Sequence, residues 1–321
     1  MILEGTFEGW FRLLSAFFAG GLLPVLAFAI QRDWGRGPTV ATLCSVGPIL
    51  LALAHILTGG RVWTGITVLG LCSLAALLRD PVRTWRWIST WMLPITADLT
   101  VASVLGVQSA RILLKEVWSA EWVYRDIMWH SGVVAEVRDH FPPFDPQWAS
   151  GLIFEYHWLC HAVLGAVSSI VQVPAIETVL YYAPGAVMVA TFAGALQLVP
   201  AGRRTVRALG AIAMALAFAT TWLPDWSVQK SLGGHLSACM STYVWSLPLL
   251  CGALFWWIRW QRLRAVIAPD SWRRTLPTLA GVTFLATAAS LSKGSHVLVI
   301  GGLELAALTL FLAGNPREIP S

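Results

Sequence analysis

Apolar runs of about twenty residues recur along the 321-residue chain and alternate with short polar breaks. A bilayer core about 30 Å thick takes about 20 such residues per helix. The pattern predicts ten candidate segments, at about 13–31, 38–58, 62–78, 88–110, 151–172, 177–199, 205–223, 238–258, 275–292 and 296–313. One long polar stretch, about 111–150, interrupts them. The expected fold is therefore all-α: a polytopic membrane helix bundle. No internal repeat and no low-complexity segment is evident.

The order of polar residues between the runs sets a constraint. Basic loops belong on the cytoplasmic side of a membrane. The basic sets are Arg32 and Arg36; Arg79, Arg83 and Arg86; Arg203, Arg204 and Arg207; and Arg259, Arg262, Arg264, Arg273 and Arg274. If all ten segments cross, the first two sets fall opposite the last two. One segment between Arg86 and Arg203 is thus expected not to cross. The choice falls on 151–172, whose first half carries Glu155, His157 and His161. Each ionisable group costs roughly 2.5–3.5 kcal/mol near the middle of a span. An amphipathic helix lying in the interface keeps those groups wet and buries Leu159, Val163 and Val167. Nine spans then remain, with the N-terminus outside and the C-terminus cytoplasmic. All seven His and all three Lys fall at or near the outer face, although they played no part in setting the topology.

Composition sharpens this picture. Hydrophobic residues make up 56% of the chain and charged residues 12%, about half the charged share of a soluble domain. Mean hydropathy is +0.66. The net charge of +5 does not indicate a nucleic-acid partner, because the Arg residues sit in loops and not along one helix face. The five Cys lie mostly inside apolar runs without a CxxC pair, so neither a disulfide framework nor a zinc knuckle is indicated. The start, Met1-Ile2-Leu3-Glu4, lacks the basic region of a cleavable signal peptide. Eighteen Trp, many at span ends, read as an aromatic belt.

Candidate chemistry concentrates between Lys115 and His161. Asp126 and His130 stand four apart, within reach on one helix face. The segment 126–141 reads as an amphipathic helix that Pro142-Pro143 stops. A carboxylate here suits a general base on a hydroxyl or a ligand to a divalent cation, with the imidazole sharing its proton. Its bland alternative is a first-turn acid favoured by the helix dipole. His157 and His161 are also four apart, a spacing compatible with a metal pair. No Glu lies between them as in HExxH, and hydrogen-bonded interfacial histidines have the same spacing. Lys230, His235, Lys293 and His296 are candidate phosphate partners, with Ser292-Lys293-Gly294-Ser295-His296 the most suggestive run; an ordinary Gly turn with a snorkelling Lys reads the same way. Asp98 and Glu304 lie inside spans and read as polar helix contacts or as parts of an ion path.

The series Asp126, His130, Pro142, Pro143, Asp145, Pro146, Gly151, Tyr156 and His157 resembles the first outer loop of the GT-C superfamily of membrane glycosyltransferases. The resemblance covers about 88–313. It implies that 88–110 is the family's first span and that 126–141 and 151–172 are its two outer juxtamembrane helices. Residues 1–87 then form three N-terminal transmembrane helices, and 88–321 a GT-C-like module with outer loop 111–150. It further implies a sugar donor linked to polyprenyl phosphate, an outer face of a bacterial plasma membrane, and Asp126 with His130 as the catalytic pair. Glu155, Tyr156, His157, His161, Lys230, His235, Lys293 and His296 are expected to bind substrate. A divalent metal would sit on Asp126 and His157. The single Asp126, preceded by Arg125, departs from the family's paired carboxylates, and three preceding spans are unusual for it. The expected partners are membrane lipid and other membrane proteins. Competing functions are a non-catalytic membrane subunit for surface-polysaccharide assembly, a transporter using Asp98, Glu304 and Lys293, and a metal-dependent membrane hydrolase.

Overall fold

A computed structural model describes residues 7–117, 121–144, 158–198, 242–266, 281–285 and 288, with side chains at 7–107, 128–144, 158–198, 247–262, 281–285 and 288. Among them the secondary structure is helical, without a strand. The order is α1 (Phe7–Ala16), a π-helical segment (Phe17–Leu22), α2 (Leu23–Gln31), α3 (Arg36–Leu57), α4 (Val62–Leu78), α5 (Pro81–Val117), α6 (Glu121–Asp139) and α7 (Leu159–Val171). There follow α8 (Ala175–Glu177), a second π-helical segment (Thr178–Tyr182), α9 (Ala183–Leu198) and α10 (Thr242–Val266).

Among the described residues four continuous stretches are long and apolar enough to cross a membrane: Phe7–Gln31, Arg36–Leu57, Pro81–Val107 and Ala175–Leu198. The chain is an integral membrane protein. α4 and α7 are apolar but shorter. The expected spans at 205–223 and 296–313 lie outside the described residues, and so does most of 275–292.

α3 and the stretch Ala175–Leu198 are the most enclosed of the four, each 67% buried over its apolar window, whereas the window of α5 is 17% buried. The reason is side-chain size. α3 turns inward Thr39, Ala41, Ser45, Gly47, Ala52 and Ala54, and small residues let neighbouring helices approach closely where lipid supplies no hydrophobic drive between them. Gly65 of α4 shows how close: a Cβ there would stand 2.7 Å from the Ala54 carbonyl oxygen. α5 instead directs Leu93, Val101 and Val104 outward, as a lipid-facing helix should.

The two ends of α3 differ in chemistry. At its Arg36 end Trp87 Nε1 donates to the Trp34 carbonyl at 2.6 Å, and Arg83 donates to that of Gln31 at 3.1 Å. α9 reaches the same end, where Gln197 meets Asp98. So does α10, whose Trp256 donates to Thr42 at 3.2 Å and carries Arg259 over its ring. The described members of the Arg sets therefore share one end. Arg203, Arg204 and Arg207 lie outside the described residues but directly follow α9. At the Leu57 end lie α1, the last turn of α6 and the last turn of α7. There His55 bonds the Arg138 carbonyl oxygen, and Arg12 donates to Gln172.

The chain thus enters the stretch 139–172 and leaves it at one end of the bundle. The 13 residues of α7 rise about 20 Å, short of a 30 Å core. The expected flat, half-wetted helix at 151–172 is not what its described part, 158–172, forms. α7 is not half-wetted: Leu159, Cys160, His161, Ala162, Leu164, Ala166, Val167 and Ile170 are all buried, packed on α1, α3 and α6. Leu159 lies beside Ile49, eight residues or about 12 Å along α3 from its Leu57 end. α7 therefore starts inside the bundle and climbs out parallel to α3.

Candidate functional site

α6 runs Glu121–Asp139 and stops before Pro142-Pro143, as the sequence predicts. One stripe, Val133, Val134 and Val137, is fully buried. It meets Ala52 of α3 and Ala162 of α7 in one cluster and Cys160, Leu164 and Val179 in another. Gly165 allows the contact: a Cβ there would stand 3.1 Å from the Arg138 backbone nitrogen. Across this seam His130 Nδ1 lies 2.8 Å from His161 Nε2, with the rings stacked at 5.1 Å and 22°. Both side chains are buried, at 4% and 0% exposure. The indole of Trp129 sets its edge against each ring, with centroids at 4.7 and 6.3 Å.

That bond has a defined protonation logic. One ring nitrogen must donate and the other accept. The pair is therefore either doubly neutral or a single shared cation. A second proton would set two N–H groups against each other. Within an apolar seam such a bond is stronger than in water, and losing it costs more.

The histidine spacing had pointed elsewhere. The structure joins His130 to His161 across 31 residues of chain, while the expected pairs Asp126 with His130 and His157 with His161 each include a side chain outside the described residues. The backbone of residue 126 lies in α6, one turn before His130; its side chain is outside the described residues. So are Glu155, Tyr156, His157, Lys230, His235, Lys293, His296 and Glu304. The expected metal ligands Asp126 and His157 fall in the same category. Among the described residues no three His, Cys, Asp or Glu side chains come together.

Four of the seven histidines are described: His55 and His140 lie toward the Leu57 end, and His130 and His161 deeper, where α7 begins. Among the described histidines, His55, His130 and His161 are buried and His140 is exposed. His55 Nε2 stands 3.0 Å from the Arg138 carbonyl oxygen. Its Nδ1 and the Ser131 hydroxyl are buried without a hydrogen-bond partner among the described residues. Sequence reasoning did not single out His55 or Ser131.

At the tip of α6, Arg138 grips Asp139 through two hydrogen bonds of 2.8 and 3.0 Å. That guanidinium holds the Asp139 carboxyl below its ordinary value. A lowered folded-state value stabilises the fold above the usual carboxylate range, near pH 4, and the contribution is lost as acid titrates the group. Asp139 is 51% exposed, so water screens the pair. Asp139→Asn should lower stability at neutral pH by about 0.5 kcal/mol or less, and melts recorded near pH 2 should not separate the variant from the parent.

Asp98, expected as a helix contact or an ion-path residue, is a junction of three helices. Arg36 Nε of α3 lies 3.3 Å from its carboxylate, and Gln197 of α9 donates to the same oxygen at 3.1 Å. Arg36 is 24% and Asp98 13% exposed. Asp98→Ala would strand a largely buried guanidinium and leave the Gln197 amide with the Ala193 carbonyl as its acceptor. The expected cost is about 1–3 kcal/mol, below the 3–5 of a fully buried pair because water reaches Arg36. Thermal denaturation in detergent measures it.

Compared with protein-family models, characterised proteins and solved structures, the chain matches none.

Proposed function

We propose that the chain is a membrane glycosyltransferase-like protein of GT-C type, moving a sugar from a polyprenyl-phosphate donor to a hydroxyl acceptor. One observation carries the reading: the His130–His161 bond, which joins α6 to α7. Those helices belong to the two segments that the family resemblance assigns to its reaction centre. Asp126 is one turn from that bond along α6. A carboxylate backed by a proton-sharing imidazole pair is a competent general base.

In the proposed reaction the acceptor oxygen attacks the anomeric carbon. The C–O bond to the phosphate breaks, and its electron pair leaves on the polyprenyl phosphate. The acceptor proton passes to the Asp126 carboxylate. Asp126 is then a neutral acid; His130, bonded to His161, takes that proton and passes it to solvent, which restores the carboxylate. Lys230, His235, Lys293 and His296 are the proposed cations for the leaving phosphate.

Membrane vesicles containing the protein and a polyprenyl-phosphate sugar test this directly. Asp126→Asn should insert normally and lose transfer by about 10²–10⁴-fold, the usual share of one acid–base group. Transfer at the parental rate by Asp126→Asn would remove the enzyme reading and leave the non-catalytic subunit in its place.

A further inference from the structure

At the opposite end of the bundle a cavity of about 500 Å³ opens between the turn after α2 and the first two turns of α5. That volume lies within the ~300–1,000 Å³ typical of small-molecule sites. Its lining combines Asp33 and Asp80 with Arg83 and Arg86, and its wall includes Trp87 and Trp91. Two of these charges are held in place. Asp80 accepts the Arg83 backbone N–H at 3.0 Å, and the Arg83 guanidinium donates to the Gln31 carbonyl. The other two, Asp33 and Arg86, face the same cavity, yet neither side chain has a hydrogen bond or ion pair among the described residues. Opposite charges that share a cavity without pairing leave both available to a ligand.

The position narrows the ligand class. The cavity lies where α2, α4 and the two flanking helices α3 and α5 all end, which is the headgroup level of the bilayer. From it α5 runs through the apolar zone with only 17% of its window covered by protein, and Leu93, 80% exposed, faces outward just below Trp91. A lipid with its headgroup in the cavity can lay its acyl chains along that helix. Basic pockets at helix ends bind lipid phosphates, but a purely anionic headgroup would leave Asp33 and Asp80 uncompensated. A choline headgroup offers no N–H to a carboxylate.

We propose that this cavity binds the phosphoethanolamine headgroup of an aminophospholipid. The phosphate sits on Arg83 and Arg86, the primary ammonium on Asp33 and Asp80, and the acyl chains follow α5. The inference does not depend on the sugar-transfer reading, since it concerns the other end of the bundle.

Delipidated protein in detergent, titrated with phosphatidylethanolamine, phosphatidylglycerol or phosphatidylcholine of matched chains and read by native mass spectrometry, tests it. Phosphatidylethanolamine should bind about tenfold more tightly than either competitor. Arg86→Gln should weaken binding of phosphatidylethanolamine and phosphatidylglycerol alike. Asp33→Asn should remove the preference for ethanolamine alone. Soluble phosphoethanolamine should compete only at far higher concentration; if it binds as tightly as the lipid, the site serves the free headgroup and the lipid assignment fails. Equal binding of ethanolamine and choline lipids, or tighter binding of phosphatidylglycerol, would overturn the proposal without any variant. An Asp33→Asn protein with the parental preference would do the same.

Discussion

Gly106→Val should prevent the protein from accumulating in the membrane. α5 and α9 run antiparallel, with Gly106 against Val189 and Asp98 against Gln197. A Cβ at position 106 would stand 2.6 Å from the Val189 backbone nitrogen and 2.8 Å from its Cα. These are backbone atoms of a packed helix, so no side chain can rotate away. The two helices would have to separate along their whole contact. The neighbouring seam of Ile95, Ala102, Phe192 and Ala193, all 1% exposed or less, would open with them. Overpacking usually costs 1–3 kcal/mol and sometimes more; with backbone on both sides, the upper end of that range or beyond is expected. Gly70→Ala is the control, since its Cβ would meet the Ala19 carbonyl oxygen at an ordinary 3.4 Å. Expression and detergent melting temperature should fall sharply for the first and little for the second. Equal behaviour would mean that α5 and α9 do not pack along Gly106.

His161→Ala should have the second-largest effect, on both stability and the proposed activity. It removes a ring with no exposed surface and strands the His130 nitrogen that faces it. An unpaired buried polar group costs about 1–3 kcal/mol, and the vacated volume adds to that. His130→Ala should cost a similar amount. The double variant should cost less than the sum of the two, with a coupling of about 1–3 kcal/mol, the range for groups that share one bond. Strict additivity would show that the two rings do not bond. The activity reading differs from the stability reading. His161→Gln restores a side-chain hydrogen bond but no titratable proton, so stability should partly return while sugar transfer should not.

Much of the fold was legible along the chain. The run 62–78 coincides with α4, and α3 begins and ends within two residues of its predicted limits, because length and hydropathy alone decide where a span can lie. Pro142-Pro143 marks the end of α6 for a local steric reason. The Arg rule required one stretch between Arg86 and Arg203 that does not cross. The described Arg side chains of those sets sit toward the Arg36 end of α3, whereas 145–157 and 199–241, on which the count of crossings turns, lie outside the described residues.

The surroundings of each helix were a different matter. Lipid tails and packed side chains are equally apolar, so the run 159–171 has the same sequence whether it faces lipid or protein. Only the packing of α1, α3 and α6 around it settles that it is buried. Helical periodicity relates residues three and four apart, and on that scale it offered His157 as the neighbour of His161. A partner that no local period offers, His130, arrives from another helix, brought there by the valine stripe of α6 seating against Ala162 and Gly165. Local spacing thus determined the helices and their ends. Which polar groups meet was decided by how those helices pack, through contacts between residues too distant in the chain for any local period to register.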